Sequence, residues 1–299
     1  MRRDGRPVPG SFVRIGGVPH HVVVEGSGPA CVLTPGLGMA WFDWDAVAAL
    51  LAPHRTVVRF DRPGLGLSGP SPVPPSLAGE ADRIARILDA CGLDGPVTVA
   101  GHSLGGFHAE AFARLHPART AGLVLVDSSV EPAALPRPAP TLHTGLTRVA
   151  AAVLGAAGVP YALGPAGRRA AYRLVRGRRG GDPAPYSLVR RTYGTSRSLR
   201  AMLAEYATYP DLAAQLVYVR RQFPLPAGLP VTVLAAGDDA RWLALQRALA
   251  GELGSAFHAV SGASHLVMLD RPDAVAAAVL SAGDPAEGPL SVARAEMTP

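Results

Sequence analysis

The segment Val97 to Gly106, Val-Thr-Val-Ala-Gly-His-Ser-Leu-Gly-Gly, constrains this chain more than any other. A short apolar, β-branched run leads into Gly101-His102-Ser103-Leu104-Gly105, and an amphipathic stretch, Phe107 to His116, follows without a break. The pattern predicts a strand, a sharp turn and a helix. A turn that tight holds its central residue in a strained backbone conformation, and glycines two positions to either side let strand and helix pass closely. Ser103 then stands clear of the sheet edge at a helix N-terminus, where the Leu104 N–H can face a developing oxyanion.

The rest of the chain alternates strand and helix signals around this turn. Phe12 to Ile15 and His20 to Glu25 flank Gly16-Gly17, a hairpin signal, and His20 and His21 are read as structural. Pro29 to Thr34 and Thr56 to Phe60 read as buried strands, Ala78 to Cys91 as a helix, and Gly122 to Val126 as a further strand ending at Asp127. Four prolines between Pro132 and Pro140 mark a departure, after which Leu146–Leu154, Arg168–Val175, Leu199–Tyr206 and Leu212–Phe223 are amphipathic with no convincing strand between them. Strand patterning resumes at Pro230 to Ala236 and Ala256 to Val260, and Asp270-Arg271-Pro272 reads as the cap and start of a last helix.

In these motifs the chain resembles the α/β-hydrolase superfamily. The resemblance rests on Gly-His-Ser-Leu-Gly at 101–105, on Pro35-Gly36-Leu37-Gly38-Met39 where that superfamily usually has His-Gly-x-Pro-Gly, and on Asp61-Arg62-Pro63-Gly64-Leu65-Gly66-Leu67-Ser68. It implies an α/β fold, a mostly parallel central sheet of about eight strands flanked by helices, with a helical cap inserted after strand six. The expected organisation is a core at 10–130 and 230–282, a cap at 131–229, and flexible ends at 1–9 and 283–299. It also implies that the backbone N–H groups of Leu37 and Leu104 form an oxyanion hole. Pro35 replaces the usual histidine and leaves that backbone role intact. Asp61 and Arg62 are expected to brace loops as an ion pair or hydrogen-bond hub.

A serine nucleophile needs a base, and His265 is the candidate: it lies in the loop after the last strand, where a parallel sheet gathers its carboxyl-end loops, and the superfamily keeps its histidine there. His102 is assigned to packing. The imidazole needs a carboxylate to fix its tautomer. Asp127, at the tip of the sixth strand beside the turn strand, is favoured; Asp239, then Asp238, after the seventh strand, is the alternative. The implied chemistry is acyl transfer to Ser103, with no metal or organic cofactor. Serine at the turn argues against dehalogenase and epoxide hydrolase activity, which use aspartate there. Esters, thioesters, lactones and amides remain, with a C–C hydrolase or lyase and a non-catalytic ligand-binding protein as alternatives.

Composition narrows the classes further. Every basic residue is arginine, so a Schiff-base lysine and a Ser–Lys dyad are excluded. Residues 131–229 carry 14 arginines against four acids, a net of +10, where a solvated basic exterior is favoured over a site for an anionic substrate or weak contact with a membrane surface. Nucleic-acid binding has no motif behind it. Cys31 and Cys91 read as buried free thiols. The N-terminus lacks the apolar run of a secretory signal and no transmembrane segment is evident, so the expected location is cytoplasmic, with a small-molecule substrate as partner.

Overall fold

The computed structural model describes residues 8–131, 134–136 and 140–283. Expectations for residues 1–7 and 284–299 lie outside these. Eight strands form one sheet: β1 (Ser11–Ile15), β2 (Val18–Glu25), β3 (Ala30–Thr34), β4 (Thr56–Phe60), β5 (Val97–His102), β6 (Thr120–Val126), β7 (Val231–Ala236) and β8 (Ala256–Val260). Their order is β1-β2-β4-β3-β5-β6-β7-β8. The first two pairings, β1 with β2 and β2 with β4, are antiparallel, and all the others are parallel. Gly16 and Gly17, both at positive φ, make the two-residue turn of the β1–β2 hairpin.

The central strands are covered on both faces, which is why they read as unbroken apolar runs. Val32, Val58, Val99, Leu123 and Val233 face one helical layer, built from α2 (Leu77–Ala90), α3 (Leu104–Leu115) and α8 (Ala240–Leu253). Alternate residues Cys31, Leu33, Val57, Ala100 and Val124 face the other, built from α1 (Asp45–Leu51), α9 (Val267–Asp270) and α10 (Pro272–Ala282). Burial raises the Cys31 thiol to about 12, which keeps it protonated and inert.

Between β6 and β7 the described chain is helical: α4 (Pro140–Ala156), α5 (Val159–Arg176), α6 (Tyr186–Tyr193) and α7 (Ser196–Gln222). One sequence expectation changes here. The stretches at 199–206 and 212–223 are one helix, because α7 continues through Pro210, whose missing N–H removes only one bond from a 27-residue element. The region around Gly158 and Pro160 is a corner: Gly158 sits at φ +73 and the axes of α4 and α5 differ by 103°. Asp270 is a second correction. It does not cap α10, whose N-cap is Arg271, but belongs to α9 and turns toward the His265 loop.

Buried histidines set an acid limit on this core. Burial, and then the charge of Arg83, lowers His20 to about 4. His102 and His108 are also held well below the ordinary value, chiefly by burial. A histidine with a lowered folded-state pKa binds fewer protons in the native state than in the unfolded chain, so stability falls as pH drops from about 6.5 toward about 4. Thermal melts should show Tm falling across that window, and His108→Leu should shrink the fall. A Tm independent of pH down to 4.5 would contradict this origin of acid lability.

Candidate active site

The turn at Ser103 is built by close backbone approach. A Cβ on Gly101 would lie 2.2 Å from the Gly105 carbonyl oxygen, and one on Gly105 would lie 2.5 Å from the Thr34 carbonyl oxygen. No residue but glycine fits at either place. Ser103 itself takes φ 51 and ψ −122 directly before α3. Its N–H donates to the Val126 carbonyl at 3.2 Å, and its carbonyl accepts from Ser129 at 3.2 Å, so the turn is fastened to the end of β6.

That strand end carries Asp127, the other described non-glycine residue at positive φ, at 43°. Its N–H donates to Leu234 on β7, and its carboxylate is buried and fully used. Oδ1 accepts from the Ala236 N–H at 2.7 Å and from the Trp242 indole N–H at 2.6 Å, while Oδ2 lies 2.6 Å from Nδ1 of His265. With both oxygens held, the carboxylate fixes the ring's orientation and favours the tautomer that presents Nε2 as the free acceptor. The imidazole side chain is 42% exposed, so that face opens outward.

His102 does more than pack. Its Nε2 lies 2.7 Å from the His265 carbonyl oxygen, and the two rings are 4.6 Å apart. Burial, and secondarily the His265 ring, keeps His102 neutral, so its single proton belongs on Nε2. Residues 102 and 103 therefore brace the histidine loop and the Asp127 strand end respectively. The Ser103 hydroxyl is not hydrogen-bonded to the imidazole in this structure. Asp239 is occupied elsewhere: its Oδ1 caps α8, accepting from the N–H groups of Arg241 and Trp242, and Asp238 is exposed. Trp242, absent from the sequence reading, links Asp127 and Asp239, its indole N–H donating to the first and its backbone N–H to the second.

The loop at Pro35–Gly38 is gripped from two sides. Arg62, buried under it, donates to the carbonyls of Pro35 and Gly36 and pairs with Glu205 of α7 at 2.5 Å. Glu205 also accepts from the Gly38 N–H at 2.8 Å, and the Tyr193 hydroxyl at the end of α6 donates to the Gly38 carbonyl at 2.9 Å. Among the described residues no acceptor takes the N–H of Leu37 or of Leu104. Asp61 and Arg62 are not a pair: Asp61 binds His21 at 3.0 Å and the N–H groups of Trp41 and Leu67. Glu205 was legible only as one of the few acids in a basic segment.

The inserted helices also hold the histidine loop. Arg176 of α5 pairs with Asp270 at 2.8 Å, and the other oxygen of Asp270 accepts from the backbone and hydroxyl of Ser264. Arg168 is buried, paired with Asp43 at 2.6 Å and Asp182 at 2.8 Å and stacked on Tyr172 and Tyr193. The expected solvated exterior is thus wrong for these two arginines, because each meets a carboxylate inside the protein. Among the described residues no cluster of histidine, cysteine and carboxylate side chains could hold a metal ion.

Residues 31–278 match the profile of the alpha/beta hydrolase family, and the chain belongs to that family. It is 35% identical over 121 residues to 2-hydroxy-6-oxo-2,4-heptadienoate hydrolase of Pseudomonas putida, covering 39% of this chain and 44% of that protein. It is 34% identical over 105 residues to pimeloyl-[acyl-carrier protein] methyl ester esterase of Pseudoalteromonas atlantica, covering 35% and 39%. The chain spans less than half the length of these curated relatives. Among solved structures, Cfl2 of Burkholderia cenocepacia superposes with a TM-score of 0.73 at 24% identity, covering 91% of this chain and 94% of that one, a likeness of fold.

Proposed function

We propose that this hydrolase is a serine esterase, cleaving a carboxylic ester, or a related thioester, lactone or amide, of a small to medium apolar substrate. The observation that carries the reading is the 2.6 Å contact of Asp127 with His265 Nδ1 beside a serine held at a strained turn. His265 Nε2 takes the Ser103 proton as Oγ attacks the carbonyl carbon. The N–H groups of Leu37 and Leu104 receive the oxyanion. The leaving group departs with the proton from His265, and water, deprotonated by the same nitrogen, releases the acid and restores Ser103. The serine–imidazole contact forms when substrate is bound, as catalytic hydrogen bonds commonly tighten then. Residues 131–229 act as a cap over this site.

The test is hydrolysis of p-nitrophenyl acetate, butyrate and octanoate, with a burst of nitrophenolate matching the enzyme concentration. No turnover of any ester by folded protein would overturn the reading. An anionic substrate would show kcat/KM falling steeply with salt where a neutral ester does not. Carbon–carbon cleavage by the same three residues is a second reading, favoured by the alignment with the heptadienoate hydrolase, and product analysis separates the two.

A further inference from the structure

Helix α5 has its polarity reversed. Its inner face carries Arg168, Tyr172 and Arg176, spaced four apart and buried in the ion-pair network described above. The face turned to solvent carries Leu163, Ala166, Ala170 and Leu174, with Leu163 61% and Leu174 85% exposed. An amphipathic helix in contact with water alone arranges these the other way round. Helix α4, across the 103° corner, repeats the feature: Leu146, Val149 and Val153, at helical spacing along one face, are 60%, 63% and 63% exposed. Single exposed apolar residues are ordinary, but two adjoining helices each presenting an apolar stripe outward mark a contact surface.

Charge decides the partner. Residues 143–181 contain seven arginines and no acidic residue. Arg168 and Arg176 are neutralised inside, whereas Arg148, Arg173 and Arg178 are exposed and form no ion pair among the described residues. On α5, Arg173 lies beside the Leu163–Leu174 stripe at helical spacing, and Arg178 follows in the 3-10 turn Gly177–Arg179 just past the helix end. A second copy docked by a two-fold axis on this face would set these guanidinium groups against their own kind. No single described helix is long and apolar enough to cross a membrane, and α5 is anchored to the core along its inner side by its arginines. What fits an apolar stripe rimmed by unpaired cations, on a helix that stays attached, is a sheet of anionic lipid headgroups over acyl chains.

We propose that the outer faces of α4 and α5 are a peripheral docking surface for anionic lipid bilayers. The apolar stripes enter the headgroup boundary while Arg173 and Arg178 meet lipid phosphates, and the core is held at the membrane surface. The surface is separate from Ser103 and does not depend on the reaction proposed there.

The test is co-sedimentation of the whole protein with vesicles of phosphatidylcholine containing phosphatidylglycerol, against vesicles of phosphatidylcholine alone. Binding should be at least about tenfold tighter to the anionic vesicles and should weaken as salt is raised. Leu174→Glu and Val153→Glu, at exposed positions, should each lower vesicle affinity by about tenfold or more with an unchanged melting temperature, and the Arg173→Gln, Arg178→Gln double variant should remove the preference for anionic lipid. Ser103→Ala should bind vesicles like the wild type, so failed esterase activity and failed lipid binding are read separately. Equal partition to both vesicle types, or no binding to either, overturns the proposal. So does a concentration-dependent dimer that Leu174→Glu dissolves without any vesicle binding by the wild type, since the partner is then a second copy.

Discussion

Replacing Asp127 with Asn should lower kcat on an ester substrate by about 10⁴-fold while leaving the fold intact. The amide is isosteric, and its oxygen can still accept from Ala236 and Trp242 as Oδ1 does now. Its NH₂ then faces His265 Nδ1, turning that nitrogen from donor into acceptor and placing the ring proton on Nε2, where it blocks removal of the Ser103 proton. Asp239→Ala supplies the contrast. It removes an N-cap, costing about 1 kcal/mol of stability, and should leave kcat within about twofold. Measured kcat for the two variants assigns the acid directly: loss at 239 with activity kept at 127 would reverse the assignment.

Glu205→Gln should cause the second large effect, on stability and catalysis together. Arg62 is fully buried and meets one carboxylate at hydrogen-bond distance, so neutralising Glu205 strands a guanidinium. Breaking such a pair costs about 3–5 kcal/mol, which lowers Tm by about 10 °C in a domain of this size. The same carboxylate fixes the Gly38 N–H, one residue from the Leu37 donor. The loosened loop should therefore depress kcat with little change in KM, since an oxyanion contact is made only in the transition state. An Arg62→Met, Glu205→Leu double variant should recover stability and still lack kcat. If activity returns with stability, the clamp is structural only.

How much of this was legible in the sequence depended on how local the cause was. The turn at Ser103 could be read because its glycines, its strand and its helix are contiguous, and their spacing is dictated by backbone sterics. The strands were legible for the same reason, as runs buried on both faces. The nearness of Asp127 to His265 could be read because a strand tip next to the turn strand lies by topology at the sheet edge where the His265 loop returns. Glu205, Tyr193, Trp242 and Asp270 act across more than 100 residues of chain or against a loop of another element, and no local pattern encodes which backbone group a side chain reaches. Asp270 before Arg271-Pro272 looked like a cap because that dipeptide starts a helix, yet a paired arginine on α5 and the Ser264 N–H drew it away. The arginines of the insertion misled for the opposite reason: charge composition does not tell which face of a helix is inside, and α5 turned Arg168 and Arg176 inward.

The central claim, that Ser103 is a nucleophile activated by His265, is tested most directly by intact-protein and peptide mass spectrometry after treatment with a fluorophosphonate. The account predicts one adduct per chain, on the peptide containing Ser103, formed quickly in the wild type and abolished by His265→Ala without loss of fold. An unlabelled wild type, under conditions that label a known serine esterase, or an adduct that forms equally fast without His265, would contradict it.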